Sequence, residues 1–260
     1  MLVIAKGTPM HLECFECGAR VEADDLADLG DRFVVHARSS HEWPYPDQGI
    51  RNYAEATQRL TGPSARLADR GELTIHPVTE DRLDDWAAFF DHEAFVGNPE
   101  WAGCYCLEPH VAVPNASEEG DEPHWRHNRE AMLQRLRGGR SFGYLAYVDR
   151  HPAGWVNASL RSDYTLHRGE EEDPPGTEVV GISCFIIAPP YRRHGLAAAL
   201  LDRVLADAPT RGAAWVEAYP FTDDPQGDAG TFRGPRSMYD ERGFEPVRTR
   251  TRDTIVRRPV

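Results

Sequence analysis

The pattern of apolar and polar residues from residue 72 onward predicts a regular succession of strands and helices. Apolar residues that run together or alternate with polar ones indicate strands, and apolar residues three or four positions apart indicate amphipathic helices. The predicted strands cover 72–78, 142–148, 153–160, 178–188 and 213–219, and the predicted helices cover 80–92, 126–137 and 196–208. This mixture predicts an α/β (α+β) fold with a mixed central sheet and flanking helices.

Two of these strands are expected to form the parallel part of the sheet. The run 178–188 is apolar almost throughout, which is typical of a central strand covered on both faces. The helix 196–208 and the buried strand 213–219 follow, and the order strand–helix–strand predicts that the two strands lie parallel. The strands 142–148 and 153–160 are instead joined by a short polar turn, which predicts an antiparallel hairpin.

The first sixty residues differ from the rest of the chain in composition and in the length of their apolar runs, which predicts a separate small module. They contain Cys and His residues and lack long apolar runs. The stretch 61–71 carries Gly, Pro and Ser at one end and Gly at the other, which predicts a linker. The expected domains are therefore a module at 1–60 and a larger domain at 72–258. Within the module, a helix is expected at 23–37 and a second, docking helix at 50–60.

The overall charge limits the possible partners. The 42 acidic and 29 basic residues give a net charge of −13, the wrong sign for a general binder of nucleic acid or of anionic membranes. No apolar run approaches the roughly 18 residues of a membrane span, and the apolar stretch at the amino terminus is too short for a signal peptide. We therefore expect a cytoplasmic protein that binds neither nucleic acid nor membrane, with its five cysteines reduced or metal-bound.

The module contains a candidate metal site whose ligands follow the pattern C-x2-C-x18-H-x4-H, namely Cys14, Cys17, His36 and His41. Two thiolates on one turn followed by Gly18 suit a tetrahedral zinc ion, and four protein ligands predict a structural role because no position stays open for water. The long interval and the acidic surroundings differ from a DNA-reading finger. Both ends of the pattern resemble small bacterial Cys2His2 metal-binding-like domains. The alternatives are His11 as a substitute ligand and a reduced cysteine pair without metal.

The turn between the central strand and the next helix carries the strongest signal in the chain. A helix start offers unpaired backbone N–H groups and the positive end of the helix dipole, which together bind phosphate groups. Gly195 and Ala197 let an anion approach the backbone closely. Three basic residues add positive charge, namely Arg192, Arg193 and His194. The turn predicts a pyrophosphate site, with an ordinary basic turn as the alternative.

This turn resembles the acyl-CoA loop of the Gcn5-related N-acetyltransferase (GNAT) superfamily, whose motif is V-x-P-x-x-[RQ]-x-x-G-x-[GA]. The matching positions are Ile187 (in place of Val), Pro189, Arg192, Gly195 and Ala197. A second match is Tyr239, which stands four residues before the pair Gly243–Phe244, as on the last helix of the family. The resemblance covers roughly 72–258 and implies two further strands, near 244–248 and 253–257.

The resemblance implies an N-acetyltransferase that uses acetyl-CoA and in which an amine attacks the acetyl carbonyl directly. Pantetheine is then expected to pair with the backbone of Phe185 and Ile187. The pyrophosphate is expected on the loop and the helix start, formed by Arg192, Arg193, His194, Gly195, Leu196 and Ala197. Tyr239 takes the position of the family's acid, which meets the departing thiolate. Packing in the core is the alternative role of Tyr239.

The chain departs from the family at the proton-accepting position. Members that carry a glutamate on the fourth strand hold it where this chain has Gly181. Ser183 is a candidate for holding a relay water, and Glu217 on the next strand is a nearby carboxylate, with a satisfied structural polar group as the alternative. Phe232 stands where an asparagine is usual. Residues 220–236 form a longer insertion, which we expect to line the acceptor pocket.

The segment 98–106 lies in a region that covers the acceptor in this fold. Cys104 and Cys106 are one residue apart, too close for a usual metal knuckle or an unstrained disulfide. A catalytic thiol and plain packing cysteines are the two interpretations. By topology alone, the expected pocket walls include Trp101, Tyr105, Trp155 and Asn157.

The leading hypothesis is an N-acetyltransferase with a fused zinc-binding-like module, whose partners are acetyl-CoA and an amine that the sequence does not specify. One alternative is a non-catalytic acyl-CoA sensor, suggested by Gly181 in place of the strand glutamate. The other is a regulatory or adaptor protein that acts through its amino-terminal module. Because the larger domain has its own core, we expect it to keep CoA binding after the metal is lost.

Overall fold

The structure, a computed structural model, describes residues 10–14, 16–43, 47–60, 71–96, 101, 103–111, 124–165, 178–223 and 230–260. Its strands are β1 (Met10–Glu13), β2 (Arg20–Ala23), β3 (Leu73–Pro77), β4 (Gly143–Val148), β5 (His151–Leu160), β6 (Glu178–Ile187), β7 (Ala213–Ala218), β8 (Glu245–Thr249) and β9 (Thr254–Pro259). Its α-helices are α1 (Leu26–Ser40), α2 (Asp47–Leu60), α3 (Leu83–His92), α4 (His124–Arg137), α5 (Leu196–Asp207) and α6 (Arg236–Asp240).

Seven strands form one mixed sheet in the order β3-β4-β5-β6-β7-β9-β8. The neighbours are antiparallel except β6 and β7, which run parallel, as their strand–helix–strand order predicts. Strands β4 and β5 form the predicted hairpin. This sheet with its flanking helices confirms the predicted fold class, and the part of the chain from β3 to β9 (residues 73–259) is called the sheet domain below.

Strands β6 and β7 pair along only half of β6. Their register begins at Glu178 and ends with the pair Ile182–Ala218, whereas β6 continues to Ile187. At the same level the register between β5 and β6 shifts after Asn157, which is the mark of a β-bulge. Within the described residues, the carboxyl half of β6 therefore has no strand beside it on the β7 side.

Helices cover both faces of the sheet. Gly154 of β5 faces α5, because a Cβ there would lie 2.7 Å from Ile187 Cδ1 and 3.6 Å from Leu200 Cδ1. The next residue, Trp155, packs edge-on against Trp86 of α3, with ring centroids 6.0 Å apart. Successive strand residues point to opposite faces, so α3 and α5 lie on opposite sides of a sheet whose central strands are buried.

The amino-terminal module is a short hairpin followed by two helices. Strands β1 and β2 pair antiparallel; sequence analysis did not predict them, because each has four residues and a largely exposed face. Helix α1 begins at Leu26, three residues later than predicted, because Asp25 caps it by accepting a hydrogen bond from the Asp28 N–H at 2.9 Å. The linker predicted at 61–71 lies outside the described residues except for Gly71.

Helix α2 joins the module to the sheet domain. It packs against the turn Pro189–Tyr191, which follows β6, and against α3. A Cβ on Gly49 of α2 would lie 2.7 Å from the His92 carbonyl oxygen, and Ile50 and Ala54 are completely buried. The predicted docking helix is thus present and starts three residues earlier than expected. Among the described helices, none combines the length and the apolar character that crossing a membrane requires.

Candidate functional site

The loop between β6 and α5 presents the start of a helix to an open space. Gly195 precedes α5 and adopts the left-handed conformation, with φ of 84°. No side chain caps the first turn of α5, and a Cβ on Gly195 would meet no described atom within 4 Å. Backbone N–H groups and the positive end of a helix dipole are therefore available to an anion at this position.

Two basic residues shape this loop. The Arg192 Nε donates to the Ile187 carbonyl oxygen at 3.0 Å and so holds the loop against the end of β6. Arg193 adopts a left-handed conformation with φ of 63°. With Gly195, this makes two left-handed residues within three positions, which turn the chain abruptly from strand into helix. Glycine suits the second of these positions because it adopts such angles without strain.

A cavity of about 540 Å³ lies between this loop and the carboxyl half of β6. Seven of the eight residues predicted to bind the co-substrate line it: Phe185, Ile187, Arg192, Arg193, Gly195, Leu196 and Ala197. The eighth, His194, does not line the cavity. Its volume lies within the usual range for a small-molecule or cofactor site. The structure therefore brings the predicted loop and strand residues together around one space.

The opposite wall of the cavity comes from the insertion 220–236, of which 224–229 lie outside the described residues. The part at 231–235, called the inner segment, lines the cavity and accepts two hydrogen bonds through carbonyl groups, one from β6 and one from α6. The Phe185 N–H donates to the Phe232 carbonyl oxygen at 2.6 Å. The Tyr239 hydroxyl donates to the Arg233 carbonyl oxygen, also at 2.6 Å. The described part of the insertion thus lies on the side of the Gly195 loop.

Tyr239 lies on α6, completely buried beside the cavity. Its ring packs edge-on against Phe244, with centroids 5.3 Å apart. Burial raises the pKa of its phenol well above the ordinary value, and the neighbouring Cys184 thiol adds to the rise. The phenol is therefore protonated at neutral pH and donates a hydrogen bond. The interaction with Cys184 also places Tyr239 close to the middle of β6.

Glu217 on β7 is a fully buried carboxylate that four hydrogen bonds hold. The Arg257 guanidinium donates to Oε2 at 2.6 and 2.9 Å, and Arg161 donates to the same oxygen at 3.3 Å. The Tyr219 hydroxyl donates to Oε1 at 2.8 Å. Two guanidinium groups stabilise the ionised carboxylate, so Glu217 is built to hold strands β7 and β9 and the end of β5 together.

Gly181 on β6 lies beside this cluster, and its surroundings leave no room for a side chain. A Cβ there would be 2.7 Å from Tyr164 Cε2 and 3.2 Å from the Tyr219 hydroxyl oxygen. The Tyr164 hydroxyl donates to the Gly181 carbonyl oxygen at 2.9 Å. Two phenols thus fill the space that a side chain at position 181 would need.

Ser183 lies in the bulge of β6, and its hydroxyl is a buried polar group with no hydrogen-bond partner within the described structure. The Asn157 Oδ1 on the adjacent strand shares this property. Buried polar atoms are almost always paired with protein or water. Each of these atoms can therefore accept a hydrogen bond from a water or a ligand group.

His110 is a functional candidate that the sequence analysis missed. The Asn157 Nδ2 donates to the Cys106 carbonyl oxygen at 3.1 Å and lies 3.1 Å from the His110 Nε2. Burial lowers the pKa of His110 to about 4, with a smaller contribution from Arg135, so its imidazole is neutral at pH 7. No local motif marks this contact, because the side chains that form it come from positions some fifty residues apart.

Of the other residues predicted to form pocket walls, some lie in the core and one lines the cavity. Trp155 is completely buried in the core, and the Tyr105 hydroxyl donates to Asp91 at 2.7 Å. Trp101 lines the cavity and packs edge-on against Phe232. Hydrogen bonds from the neighbouring thiols and burial raise the pKa of Cys106 well above its ordinary value. Cys106 is therefore a neutral thiol, which suits packing better than nucleophilic attack.

The four predicted metal ligands converge in the amino-terminal module. The candidate ligand atoms of Cys14, Cys17, His36 and His41 all lie within 4.8 Å of one another. The Cys14 Sγ lies 3.5 Å from the His41 Nε2, and the Cys17 Sγ lies 3.5 Å from the His36 Nε2. A tetrahedral zinc ion with bonds of about 2.3 Å to sulfur and about 2.0 Å to nitrogen separates the two atoms by about 3.5 Å. The arrangement therefore fits zinc.

The groups around the four residues also suit a metal site. The Gly18 N–H donates to the Cys14 carbonyl oxygen at 2.7 Å, and Gly18 adopts a φ of 71°, so the two thiols share one tight turn. The ring nitrogens that face away from the cluster have partners of their own. The His41 Nδ1 lies 3.1 Å from a Glu16 carboxylate oxygen, and the His36 Nδ1 lies 3.4 Å from the Ser40 hydroxyl. Such contacts orient metal-binding histidines.

Comparison with known proteins identifies a family in the sheet domain. The family model described as "Acetyltransferase (GNAT) family" matches residues 99–228, which is half of the 260-residue chain. No curated protein matches the chain.

Several solved structures are similar to the chain at low identity. The PaiA N-acetyltransferase from Thermoplasma acidophilum, solved in complex with coenzyme A, is 12% identical, with 73% of this chain and 99% of that chain covered and a TM-score of 0.45. An uncharacterized protein from Bacillus halodurans is 12% identical, with 75% and 87% covered and a TM-score of 0.47. The ribosomal-protein-S18-alanine N-acetyltransferase from Escherichia coli is 14% identical, with 73% and 94% covered and a TM-score of 0.40.

Proposed function

The chain belongs to the acetyltransferase (GNAT) family, and from this premise we propose that it transfers an acetyl group from acetyl-CoA to an amine. The observation that carries the proposal is the cavity between the carboxyl half of β6 and the start of α5. A strand edge that can pair with amide groups and a helix start that can bind phosphates meet around it. Coenzyme A carries both kinds of group.

In this proposal, the loop and the strand share the binding of acetyl-CoA. The first turn of α5 and the basic residues before Gly195 hold the pyrophosphate, and Arg192 keeps the loop in place through its bond to Ile187. The absence of a side chain at Gly195 lets the phosphates approach the backbone. The backbone of Phe185 and Ile187 pairs with pantetheine, which points the thioester toward Tyr239.

The transfer itself needs a proton acceptor for the amine and a proton donor for the thiolate. Tyr239 supplies the donor, because its buried phenol stays protonated at neutral pH and lies beside the cavity. Ser183 is the group that holds a water for the amine proton, because its buried hydroxyl in the bulge of β6 has no hydrogen-bond partner among the residues that the structure describes. Glu217 stabilises the sheet around this site, since its oxygens are already held by Arg257, Arg161 and Tyr219.

The test is turnover of acetyl-CoA with a panel of amines that includes polyamines, amino acids, aminoglycosides and peptide amino termini. Release of free CoA thiol and a product that is one acetyl group heavier support the proposal. Tight binding of CoA without thiol release for any amine would contradict it and would favour a non-catalytic acyl-CoA sensor.

We also infer that Cys14, Cys17, His36 and His41 hold one structural zinc ion. The sulfur–nitrogen distances of 3.5 Å support this inference, as does the outer contact that each histidine makes. Protein purified without chelators is expected to contain one equivalent of zinc, with two sulfur and two nitrogen neighbours in its X-ray absorption spectrum. Cys104→Ser serves as the control: Cys104 lies in the sheet domain, outside the proposed zinc site, so the zinc content of this variant is expected to stay the same. Protein without bound metal would contradict the inference.

A further inference from the structure

The inner segment (residues 231–235) occupies the two hydrogen-bond donors that an acetyl-CoA molecule needs in this cavity. One donor is the Phe185 N–H, which the Phe232 carbonyl oxygen accepts at 2.6 Å. The other is the Tyr239 hydroxyl, which the next carbonyl along the chain, that of Arg233, accepts at 2.6 Å. Two consecutive carbonyl oxygens of one segment therefore take up both donors.

Neither donor can serve the inner segment and acetyl-CoA together. Each has a single hydrogen, and distances of 2.6 Å leave no space for a second acceptor at the same hydrogen. Under the proposed function, the Phe185 N–H belongs to a pantetheine carbonyl and the Tyr239 hydroxyl to the thioester sulfur. The inner segment, which lines the cavity, and the acyl donor therefore compete for the same two hydrogen-bond donors.

We propose that the inner segment is a plug that closes the acyl-donor site in the resting protein and that acetyl-CoA displaces it; this inference rests on the proposed function. The segment imitates the ligand chemically, since its two carbonyl groups stand in for the pantetheine carbonyl and the sulfur. In the absence of acetyl-CoA, the inner segment therefore pairs both donors, which avoids leaving a buried N–H and a buried phenol without hydrogen bonds.

Several side-chain contacts hold the plug in place. The Arg233 guanidinium forms an ion pair with Asp253 at 2.5 Å, and both side chains are largely buried. The same guanidinium lies 4.7 Å from the centre of the Phe221 ring. The Phe232 ring packs edge-on against Phe221 and Trp101, with centroids 5.2 and 6.1 Å apart. The ion pair between Arg233 and Asp253 involves no residue that lines the cavity, so it can be weakened without changing the loop at Gly195.

Gly234 explains how the chain passes so close to Tyr239. Its φ is 79°, and a Cβ there would lie 2.7 Å from the Met238 Cε and 2.9 Å from the Tyr239 hydroxyl oxygen. Only glycine combines that backbone conformation with that lack of space. The glycine at position 234 therefore allows the plug to contact the Tyr239 hydroxyl, which the proposed reaction uses.

A plug of this kind reduces the apparent affinity for CoA, because only the open fraction of the protein binds. Asp253→Asn weakens the Arg250–Asp253 pair in the turn between β8 and β9 as well as the ion pair with Arg233. It raises the open fraction, so the Kd of CoA measured by calorimetry on the full chain is expected to fall roughly three- to tenfold. Arg233→Gln, which breaks the same pair from the other side, is expected to do the same. The control is Asp207→Asn, which breaks the Arg203–Asp207 pair on α5 and leaves the Kd unchanged.

Hydrogen exchange of the wild-type chain tests the displacement without any substitution. Addition of CoA is expected to slow exchange at 192–199 and to accelerate exchange at 231–235. Slower exchange at 192–199 with unchanged or slower exchange at 231–235 would overturn the plug and leave the proposed function standing. An unchanged Kd in both folded variants would do the same. No binding of CoA at all would instead overturn the proposed function, and the plug with it.

Discussion

The amino-terminal module and the sheet domain both place their proposed ligand residues around a glycine-containing turn, yet they differ in how much the fold depends on the proposed ligand. In the module, Cys14 and Cys17 sit on a turn after a strand of four residues, and the hairpin and helix α1 bury few large side chains. In the sheet domain, Gly195 sits between a ten-residue buried strand and a helix of the same core.

This difference means that the module is expected to need its proposed zinc ion in order to fold, whereas the sheet domain is expected to fold before it binds acetyl-CoA. A module of this size has little apolar area with which to fold by itself, so the proposed zinc ion is expected to supply much of its folding free energy. The seven-stranded sheet with helices on both faces needs no such help. The two regions meet where α2 packs against the turn Pro189–Tyr191, so the module supports the loop that receives the proposed co-substrate.

The largest effect is expected at the start of α5. Gly195→Glu places a carboxylate where the pyrophosphate is proposed to bind, so the KM for acetyl-CoA is expected to rise roughly 100-fold or more. The matched control is Gly212→Glu, because Gly212 has a similar φ of 75° and a Cβ there also meets no described atom within 4 Å. Both variants bear a left-handed residue at a cost of about 1–2 kcal/mol. Equal KM values in steady-state assays of the two variants would refute the phosphate site.

Tyr239→Phe is expected to have the next largest effect. It removes one proton and keeps the ring, so kcat is expected to fall about 100-fold, as for the loss of a general acid. The KM for acetyl-CoA is expected to stay the same or to decrease, because the bond from the hydroxyl to the Arg233 carbonyl is lost as well. Tyr144→Phe, a change at a buried tyrosine of β4 outside the cavity, is the control. A kcat of the Tyr239→Phe variant equal to that of the wild type would contradict the role of Tyr239 as proton donor and would indicate that the residue only packs in the core.

Removal of the metal sharpens the comparison between the two regions. Chelation is expected to accelerate hydrogen exchange throughout 10–43, whereas the core of the sheet domain stays protected. CoA binding is expected to persist with a Kd several-fold higher, because α2 loses part of its support against Pro189–Tyr191. Circular dichroism and calorimetry before and after zinc is restored measure both effects. An unchanged exchange pattern in metal-free protein would show that the module folds on its own.

Features that depend on neighbouring residues could be predicted from the sequence. The hairpin of β4 and β5, the parallel pair of β6 and β7 and the turn around Gly195 each rest on a continuous stretch of chain. The family model, which matches 99–228, agrees with that interpretation. The convergence of Cys14, Cys17, His36 and His41 falls in the same class, since each pair of residues is close in sequence, while metal binding itself stays a prediction.

Features that depend on distant residues could not be predicted. Glu217 has a guanidinium partner 56 positions before it and another 40 positions after it, and no local pattern marks such a cluster. The contact of His110 with Asn157 joins residues 47 positions apart. The insertion 220–236 was expected to line the acceptor pocket. Its hydrogen bonds with Phe185 and Tyr239 use the backbone carbonyl groups of Phe232 and Arg233, and a pattern of side chains does not reveal such backbone contacts. The zinc ion, the catalytic residues and the domain boundaries stay predictions.

The smallest effect concerns the contact between the two regions. Gly49 of α2 faces the backbone of α3, and a Cβ there would lie 2.7 Å from the His92 carbonyl oxygen, which cannot move without shifting the helix. Gly49→Ala is therefore expected to lower the free energy of unfolding by about 1–3 kcal/mol and to raise the Kd of CoA slightly. The matched control is Gly30→Ala in α1, where the Cβ would lie 3.3 Å from the flexible side chain of Arg51. There alanine is expected to stabilise the helix by up to about 1 kcal/mol. Denaturant unfolding that ranks the two variants in the opposite order would contradict the docking of α2 on α3.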